Sequence, residues 1–143
     1  MVDDPKLKNE YAAWFILLGF ECSPDDITQK LGVEPTETRL KGEMREIGEG
    51  KHRREKENIE NAWILRSELP RNTPIEKHIE NLLNKIAPHK QNFIDVAKSY
   101  VFQFNCAIYY YEANPGILLS PTILKKAGEL NIPLSFDIYC LAE

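Results

Sequence analysis

Apolar side chains occupy both faces of the first extended segment of the chain, Tyr11–Phe20. Successive side chains of a strand point to opposite faces, so Trp14 and Ile16 share one face and Phe15 and Leu17 share the other. A strand with one face in solvent alternates between apolar and polar residues, whereas a strand covered on both faces does not. The pattern therefore predicts a central strand that is covered on both sides.

Two later strands show the opposite pattern, with one apolar and one polar face. Along Tyr100–Glu112, aromatic and aliphatic side chains alternate with a polar series that includes Asn105. The last strand, Leu134–Leu141, repeats this alternation and places Asp137 and Tyr139 on its polar side. We expect these polar side chains to share one face of the sheet. The remaining extended segments are 62–69, a strand, and 36–41, a short strand or an extended arm.

The segments Phe15–Pro35 and Ile108–Pro133 repeat one plan. In each, a strand is followed by a Ser-Pro pair and then by an amphipathic helix. Serine caps the first helical turn and proline fits its first position. Two interleaved strand–helix–strand units form the ferredoxin-like split βαβ fold. We therefore predict an α+β domain of this type with a mainly antiparallel sheet; the alternative is a chance repetition of a common helix start.

A pair of helices is predicted between the two units, over Thr73–Lys98. Apolar residues at helical spacing mark the first helix, and Pro88 ends it. This pair replaces a tight turn between strands. We expect either these helices or a second copy of the chain, in a homodimer, to cover the polar face of the sheet.

Length and charge distribution predict one domain with a long charged loop. A chain of 143 residues is the usual size of a single domain, here 1–143. We expect Met1–Asn9 to be frayed. Positions 41–60 carry six basic and six acidic side chains and almost nothing to bury. We therefore predict an exposed loop over 42–60.

The composition argues against several classes of partner. A formal net charge of -4 disfavours nucleic acid, which usually needs a basic surface. The apolar run Ala12–Phe20 is too short to cross a bilayer, and we expect a cytoplasmic protein without a membrane anchor. Cys22, Cys106 and Cys140 lie far apart, which predicts free thiols. We expect no metal and no cofactor.

Catalytic residues are not evident in the sequence. His52, His78 and His89 have no metal-ligand spacing, and we interpret them as solvated surface residues. Cys106 and Cys140 fall on apolar strand faces and are predicted to lie in the core. We therefore name no catalytic residue, and our interpretation favours a protein that is not an enzyme.

The order of several short motifs resembles a bacterial family described as domain of unknown function 4279. The motifs are S-P-D-D-I-T-x-x-L-G-V-x-P at 23–35, K-G-E at 41–43, W-I-L at 63–65, L-L at 82–83 and D-I-Y at 137–139. The resemblance extends from Tyr11 to Tyr139. It implies a small stand-alone cytoplasmic protein and carries over no activity; an immunity role beside a toxin is a hint from related small domains.

The polar face of the predicted sheet is the candidate binding site. Asp137 is unusual within a strand, because burying a charge without a partner is costly. Arg39, Lys41 or Arg66 are its possible partners, so the cluster is either a small polar pocket or a structural ion pair beneath the inserted helices. The residues assigned to the candidate site are Arg39, Lys41, Trp63, Asn105, Asp137 and Tyr139.

Three functions remain open at this point. The first is a non-enzymatic protein-interaction module, of an immunity or regulatory type, that works through the sheet face and the charged loop. The alternative is a small-ligand-binding or minor enzymatic domain that uses the polar pocket. Nucleic-acid binding by the aromatic residues of the sheet ranks third.

Overall fold

Outside the segment 42–60, the elements of the fold follow the predicted order of strands and helices. The computed structural model describes residues 8–111, 114 and 116–141, so most of the predicted frayed start and the end of the predicted strand at Glu112 lie outside the described residues. The strands are β1 (Glu10–Leu18), β2 (Glu37–Arg39), β3 (Met44–Ile47), β4 (Arg54–Glu57), β5 (Ala62–Arg66), β6 (Val101–Tyr110) and β7 (Leu134–Cys140). The helices are α1 (Pro24–Leu31), α2 (Ile75–Ile86), α3 (Lys90–Ala97) and α4 (Pro121–Glu129), with short 3-10 turns at Gly50–His52 and Ala87–His89.

Both Ser-Pro pairs begin helices, as the sequence predicts. The Ser23 hydroxyl accepts a hydrogen bond from the Asp26 N–H, and the Asp26 carboxylate accepts one from the Ser23 N–H. This reciprocal capping box satisfies donors that the first helical turn leaves free. Ser120 caps α4 in the same way through the N–H of Ile123, without the returning side chain. Gly32 ends α1 in the left-handed conformation, at φ 79°.

The main sheet has five strands in the order β2-β5-β1-β6-β7, and all neighbouring pairs are antiparallel except β6 and β7. The prediction that β1 and β6 are interior strands of a mainly antiparallel sheet is confirmed. Leu18 of β1 lies opposite Val101 of β6, and Glu10 lies opposite Tyr109, so the pair matches along its full length.

The ferredoxin-like split βαβ arrangement is not confirmed, because the strands of the two units do not interleave. β5 lies directly beside β1 and runs antiparallel to it, while β7 lies directly beside β6. The chain returns to the end of β1 before β5 starts, where the Gly19 N–H donates to the Asn61 carbonyl over 3.1 Å. A strand that starts beside the end of its neighbour must run antiparallel to it.

The charged segment predicted as an exposed loop is a β-hairpin. β3 and β4 pair antiparallel, with Met44 opposite Glu57 and Ile47 opposite Arg54. Arg45 and Ile47 are half-buried on one side of β3, while every residue of β4 is exposed. The hairpin lies beside the end of the sheet near Leu18, where it borders a cavity. The prediction was wrong because charged residues also form strands when backbone pairing and a turn support them.

All four helices contribute to one hydrophobic core with a single face of the sheet. Phe93 of α3 is fully buried and contacts the rings of Phe15, Trp63 and Phe102, at centroid distances of 6.0, 6.2 and 5.6 Å. Burial of such aromatic side chains contributes strongly to core stability. The inserted helices therefore cover the apolar face, and the expectation that they cover the polar face was wrong.

Candidate functional site

The second face of the main sheet is the candidate site, and we call it the open face. Among the described residues it has no helix packed on it; only the β3–β4 hairpin reaches its end near Ile16 and Leu18. Ile16, Ala62 and Ile64 form a small buried cluster on this face, with Trp14 and Leu18 packed beside it. Strand register places the following residues on the open face: Glu37, Arg39, Arg66, Glu10, Trp14, Gln103, Asn105, Tyr109, Ser135, Asp137 and Tyr139.

A stack of aromatic rings and a cation occupies one end of the open face. The rings of Tyr109 and Tyr139 lie opposite each other in register, 4.9 Å apart between centroids and 9° from parallel. The Arg71 guanidinium lies 5.2 Å from the centroid of Tyr109, a distance typical of a cation–π contact. Glu10 holds Arg71 in place through a 2.8 Å ion pair, and this hydrogen bond raises the pKa of Arg71.

Charged side chains pair with one another at the opposite edge of the open face. Glu37 accepts hydrogen bonds from Arg39 over 2.5 Å and from Arg66 over 3.1 Å. Burial raises the pKa of Glu37, but the bonds from the two arginines outweigh it and hold the pKa below its ordinary value. The pairs remain partly exposed, so they orient side chains more than they stabilise the fold.

Neutral residues fill the middle of the open face. Trp14 lies between Arg66 of β5 and Asn105 of β6. The Asn105 amide donates a long hydrogen bond of 3.4 Å to the side chain of Gln103, and Gln103 is exposed. Amide groups both donate and accept, and an indole adds apolar area, so this region offers a partner hydrogen bonds together with a flat apolar surface.

The open face brings together four of the six predicted site residues. Arg39, Asn105, Asp137 and Tyr139 lie on it, although Arg39 and Asp137 occupy opposite edge strands. Lys41 is exposed in the connection after β2, where its N–H donates to the Asn61 side chain. The sixth residue, Trp63, lies on the other face of the sheet.

Trp63 is fully buried in the core beneath the helices. Its indole N–H donates to the Thr28 hydroxyl over 3.1 Å, which satisfies the only polar atom of the side chain. The neighbouring residues Ala62 and Ile64 point to the open face instead. A shift of one position along a strand reverses the face, so Trp63 serves the core and not the site.

Asp137 is exposed and does not form the predicted ion pair. Arg39 and Arg66 both bind Glu37, and β7 lies at the far edge of the sheet from β2. Strands are spaced about 4.8 Å apart, so four spacings separate the two edges by roughly 19 Å. The inserted helices pack on the other face, so the interpretation of Asp137 as part of an ion pair beneath them was wrong.

The sequence pattern did not reveal the buried histidine of α2. His78 is 1% exposed, and its Nδ1 lies 2.7 Å from the Ser67 hydroxyl, whereas the sequence predicted a surface residue. Its position three residues after Ile75 and one before Ile79, both in the core, was the available signal. A serine–histidine pair also occurs in hydrolases, but there a carboxylate binds the other ring nitrogen. Within the described residues no carboxylate binds Nε2 of His78, so the pair lacks that third group.

The three cysteines are free and differ in exposure. Cys106 is buried as predicted, and burial raises the pKa of its thiol to about 12. A thiol with such a pKa stays neutral at physiological pH and is a poor nucleophile. Cys140 is exposed, so its predicted place in the core was wrong: all residues of β7 from Asp137 onward are exposed.

The described part of the chain shows neither a metal-binding cluster nor a membrane-spanning helix. No group of three or more histidine, cysteine, aspartate or glutamate side chains is arranged to hold a metal ion there. The helices over the same residues include none with the length and apolar character needed to cross a membrane.

Comparison with known proteins identifies the family. No curated protein and no solved structure matches the chain. A family model described as "Domain of unknown function (DUF4279)" matches residues 9–141, nearly the whole chain and all the strands and helices given above. The resemblance seen in the short motifs is thereby confirmed, and the chain belongs to the DUF4279 family.

Proposed function

We propose that the protein is a non-enzymatic interaction module whose open face binds a protein partner. The observation that carries this proposal is the asymmetry of the sheet: four helices pack on one face, while the other exposes Gln103, Asp137 and Tyr139. An antiparallel sheet with one solvated face normally shows charged and polar residues there. Here the same face also carries Trp14 and the stacked tyrosines.

The composition of the open face supports a protein as the partner. Tryptophan, tyrosine and arginine are the residue types most enriched at binding hot spots. Trp14, Tyr139 and Arg71 lie on this face or at its edge, and Tyr139 is 46% exposed. Ion pairs fix Arg71, Arg66 and Arg39 before binding, which lowers the entropy lost when a partner orders them.

Site-specific photo-crosslinking in cells that carry the native gene tests this proposal. A photoreactive phenylalanine analogue replaces Gln103, at the centre of the open face, or Leu124, which is 54% exposed on α4 and serves as the matched control. We expect an ultraviolet-dependent adduct with another protein at Gln103 and not at Leu124. Identification of that protein distinguishes an immunity role, in which a toxin is captured, from a regulatory role. No adduct at Gln103 above the Leu124 background contradicts the proposal.

A small organic anion is a second candidate ligand, favoured by a cavity between the hairpin and the open face. The cavity has a volume of about 210 Å³ and a floor formed by Ile16, Leu18 and Ala62. Arg45 and Lys56 line it and lie directly opposite each other in the hairpin. Like charges at opposing strand positions repel each other. The other lining residues are Arg39, Glu57, Asn58, Ile59 and Glu60.

The Arg45 side chain favours an anion as the ligand of this cavity. Its Nε atom is buried without a hydrogen-bond partner, whereas Arg39 is already bound to Glu37. A buried donor without an acceptor is costly, and a bound carboxylate or phosphate removes that cost. The apolar floor favours an anion with an apolar part.

Thermal-shift measurements with benzoate, inorganic phosphate and chloride at equal ionic strength test the second candidate. We expect benzoate to raise the unfolding temperature more than chloride does, and Arg45→Gln to abolish the difference. Lys51→Gln, in the exposed tip of the same hairpin, is the control that keeps it. Equal shifts in the wild type with all three anions, or an unchanged benzoate shift in Arg45→Gln, contradict an anion site at this cavity.

A further inference from the structure

Within the described part of the chain, the backbone groups on the outer edge of β7 have no strand partner. β7 is the last strand of the sheet order and pairs only with β6 among the described strands. The Leu141 N–H donates to the Tyr110 carbonyl over 2.9 Å, so the backbone groups of odd-numbered residues point toward β6. In a parallel pair, alternate residues direct both of their backbone groups to the same side. Phe136, Ile138 and Cys140 therefore direct their N–H and C=O groups outward.

The two edges of the sheet differ in how they are protected against pairing. Proteins usually block an edge by making it short or by placing charges, proline or a bulge on it. The edge strand β2 has three residues, two of which are Glu37 and Arg39. β7 has seven residues, Leu134–Cys140, whose only charged side chain is Asp137. Its Ile138 is 54% exposed, although it lies on the side of the sheet that faces the helices.

We propose that β7 pairs antiparallel with β7 of a second copy of the chain, about a two-fold axis at Ile138. This register places Ile138 opposite Ile138 of the second copy and Phe136 opposite its Cys140. The two strands then exchange about six backbone hydrogen bonds through the outward-pointing residues. The exposed Ile138 side chains become buried against each other.

Side-chain chemistry selects this register over its neighbour. With the axis at Ile138, Asp137 lies opposite Tyr139 of the second copy, and the phenol donates to the carboxylate across a non-hydrogen-bonded pair, where side chains are closest. With the axis at Asp137 instead, two carboxylates face each other directly, which is destabilising. The one charge of the edge strand therefore acts to fix the pairing position.

The dimer joins the two open faces into one continuous surface. A ten-stranded sheet results, in which each copy adds a Tyr109–Tyr139 stack on either side of the axis. Residues from both copies then form the centre of the surface. This inference rests on the backbone and register of β7 and does not depend on the proposed partner of the open face.

Cysteine crosslinking tests the register directly. In the full chain with Cys22→Ala and Cys140→Ser, we introduce Ile138→Cys or, as the matched control on the same strand, Ser135→Cys. Directly opposed residues in a hydrogen-bonded pair have Cα atoms about 5.5 Å apart, within the range of a disulfide. The two Ser135 positions are six residues apart in this register, roughly 20 Å at about 3.4 Å per residue.

We expect mild oxidation to give a disulfide-linked dimer of Ile138→Cys and a monomer of Ser135→Cys. Light scattering after gel filtration should show that the wild type is dimeric and that Ile138→Lys is monomeric with an unchanged circular dichroism spectrum. A wild type that stays monomeric up to its solubility limit overturns the proposal. A disulfide through Ser135→Cys, with none through Ile138→Cys, overturns the register.

Discussion

The hydroxyl of Ser67 and Nδ1 of His78 lie 2.7 Å apart and join the end of β5 to helix α2. His78 is 1% exposed, and its neighbours on the helix are core residues. The backbone of Ser67 is also fixed, because its N–H donates to the Ala13 carbonyl over 2.9 Å. The pair therefore ties the inserted helix to the two strands that carry Trp14 and Arg66 on the open face.

Acid should destabilise the protein through His78. Burial lowers the pKa of His78, the backbone carbonyls of Pro70 and Thr73 oppose this, and the positive charge of Arg71 lowers it further. The folded state thus binds fewer protons than the unfolded state below the ordinary histidine pKa of about 6.5. The stability contribution is complete above that pH and is lost as the pH falls toward the folded pKa. Urea unfolding from about pH 8 to about pH 5 measures this loss.

Substitution of single histidines distinguishes the contribution of His78 to the pH dependence of stability from that of the other histidines. His78→Gln should remove its part of the pH dependence between those values and lower stability, because Ser67 loses its ring partner. His52→Gln, at an exposed residue of the hairpin, is the control for replacing a histidine outside the core. An equal pH dependence in wild type and His78→Gln would show that another group is responsible.

Trp63→Phe should destabilise the fold more than Trp14→Phe does. Trp63 is fully buried and its N–H donates to the Thr28 hydroxyl, so the change leaves a cavity and removes one hydrogen bond, although that hydroxyl still donates to the Pro24 carbonyl. We expect a loss of about 1–3 kcal/mol, from a lost hydrogen bond worth about 0.5–1.5 kcal/mol together with the cavity. Trp14 is only half-buried on the open face, so its replacement should cost less than about 1 kcal/mol. Urea unfolding followed by circular dichroism compares the two, and equal losses would contradict the assigned faces.

The helix starts were predicted correctly because the capping hydrogen bonds that define them join residues close together in the sequence. Ser23 and Ser120 start helices through bonds to residues three positions on, which a short sequence window contains. The strand order depends on long-range contacts, such as the bond from Gly19 to Asn61. The sequence window that predicted strand–helix–strand units carries no information on which strands become neighbours.

The candidate site was predictable only where strand alternation determines it. Alternation along β6 and β7 correctly placed Asn105, Asp137 and Tyr139 on one face. It gave no reason to expect Arg71, a loop residue whose position over Tyr109 depends on its pairing with Glu10. Alternation also did not show that Ile64 faces outward and Trp63 inward. In a short apolar strand such as β5, either residue fits either face.

Gly48→Ala should loosen the β3–β4 hairpin. Gly48 has φ +82°, and a Cβ atom there would lie 2.5 Å from the backbone oxygen of His52. The left-handed conformation alone costs about 1–2 kcal/mol for alanine, and the clash adds to it. Gly42, at φ +88° with nothing within 4 Å of such a Cβ, gives a matched control that isolates the conformational cost.

Limited trypsin digestion measures this loosening, since Lys51, Arg53 and Arg54 lie at the hairpin tip. We expect faster cleavage there in Gly48→Ala than in Gly42→Ala, and slowest cleavage in the wild type. Gly48→Ala should raise the cleavage rate at the hairpin but change the midpoint of global unfolding only slightly, because the hairpin lies outside the main core. If trypsin cleaves Gly42→Ala as fast as Gly48→Ala, the clash between a Cβ atom at position 48 and the backbone oxygen of His52 does not contribute to the loosening.

Removal of the two serine caps should destabilise the protein by similar and additive amounts. Ser23→Ala and Ser120→Ala each remove a hydroxyl that accepts an N–H of the first helical turn, at a typical cost of about 1 kcal/mol. Their losses should add, because the serines cap different helices and share no partner. Ser23→Ala combined with Asp26→Ala should instead be non-additive, because the two side chains form one capping box. Urea unfolding of the single and double variants measures both couplings, and additivity within the box would show that its two bonds act independently.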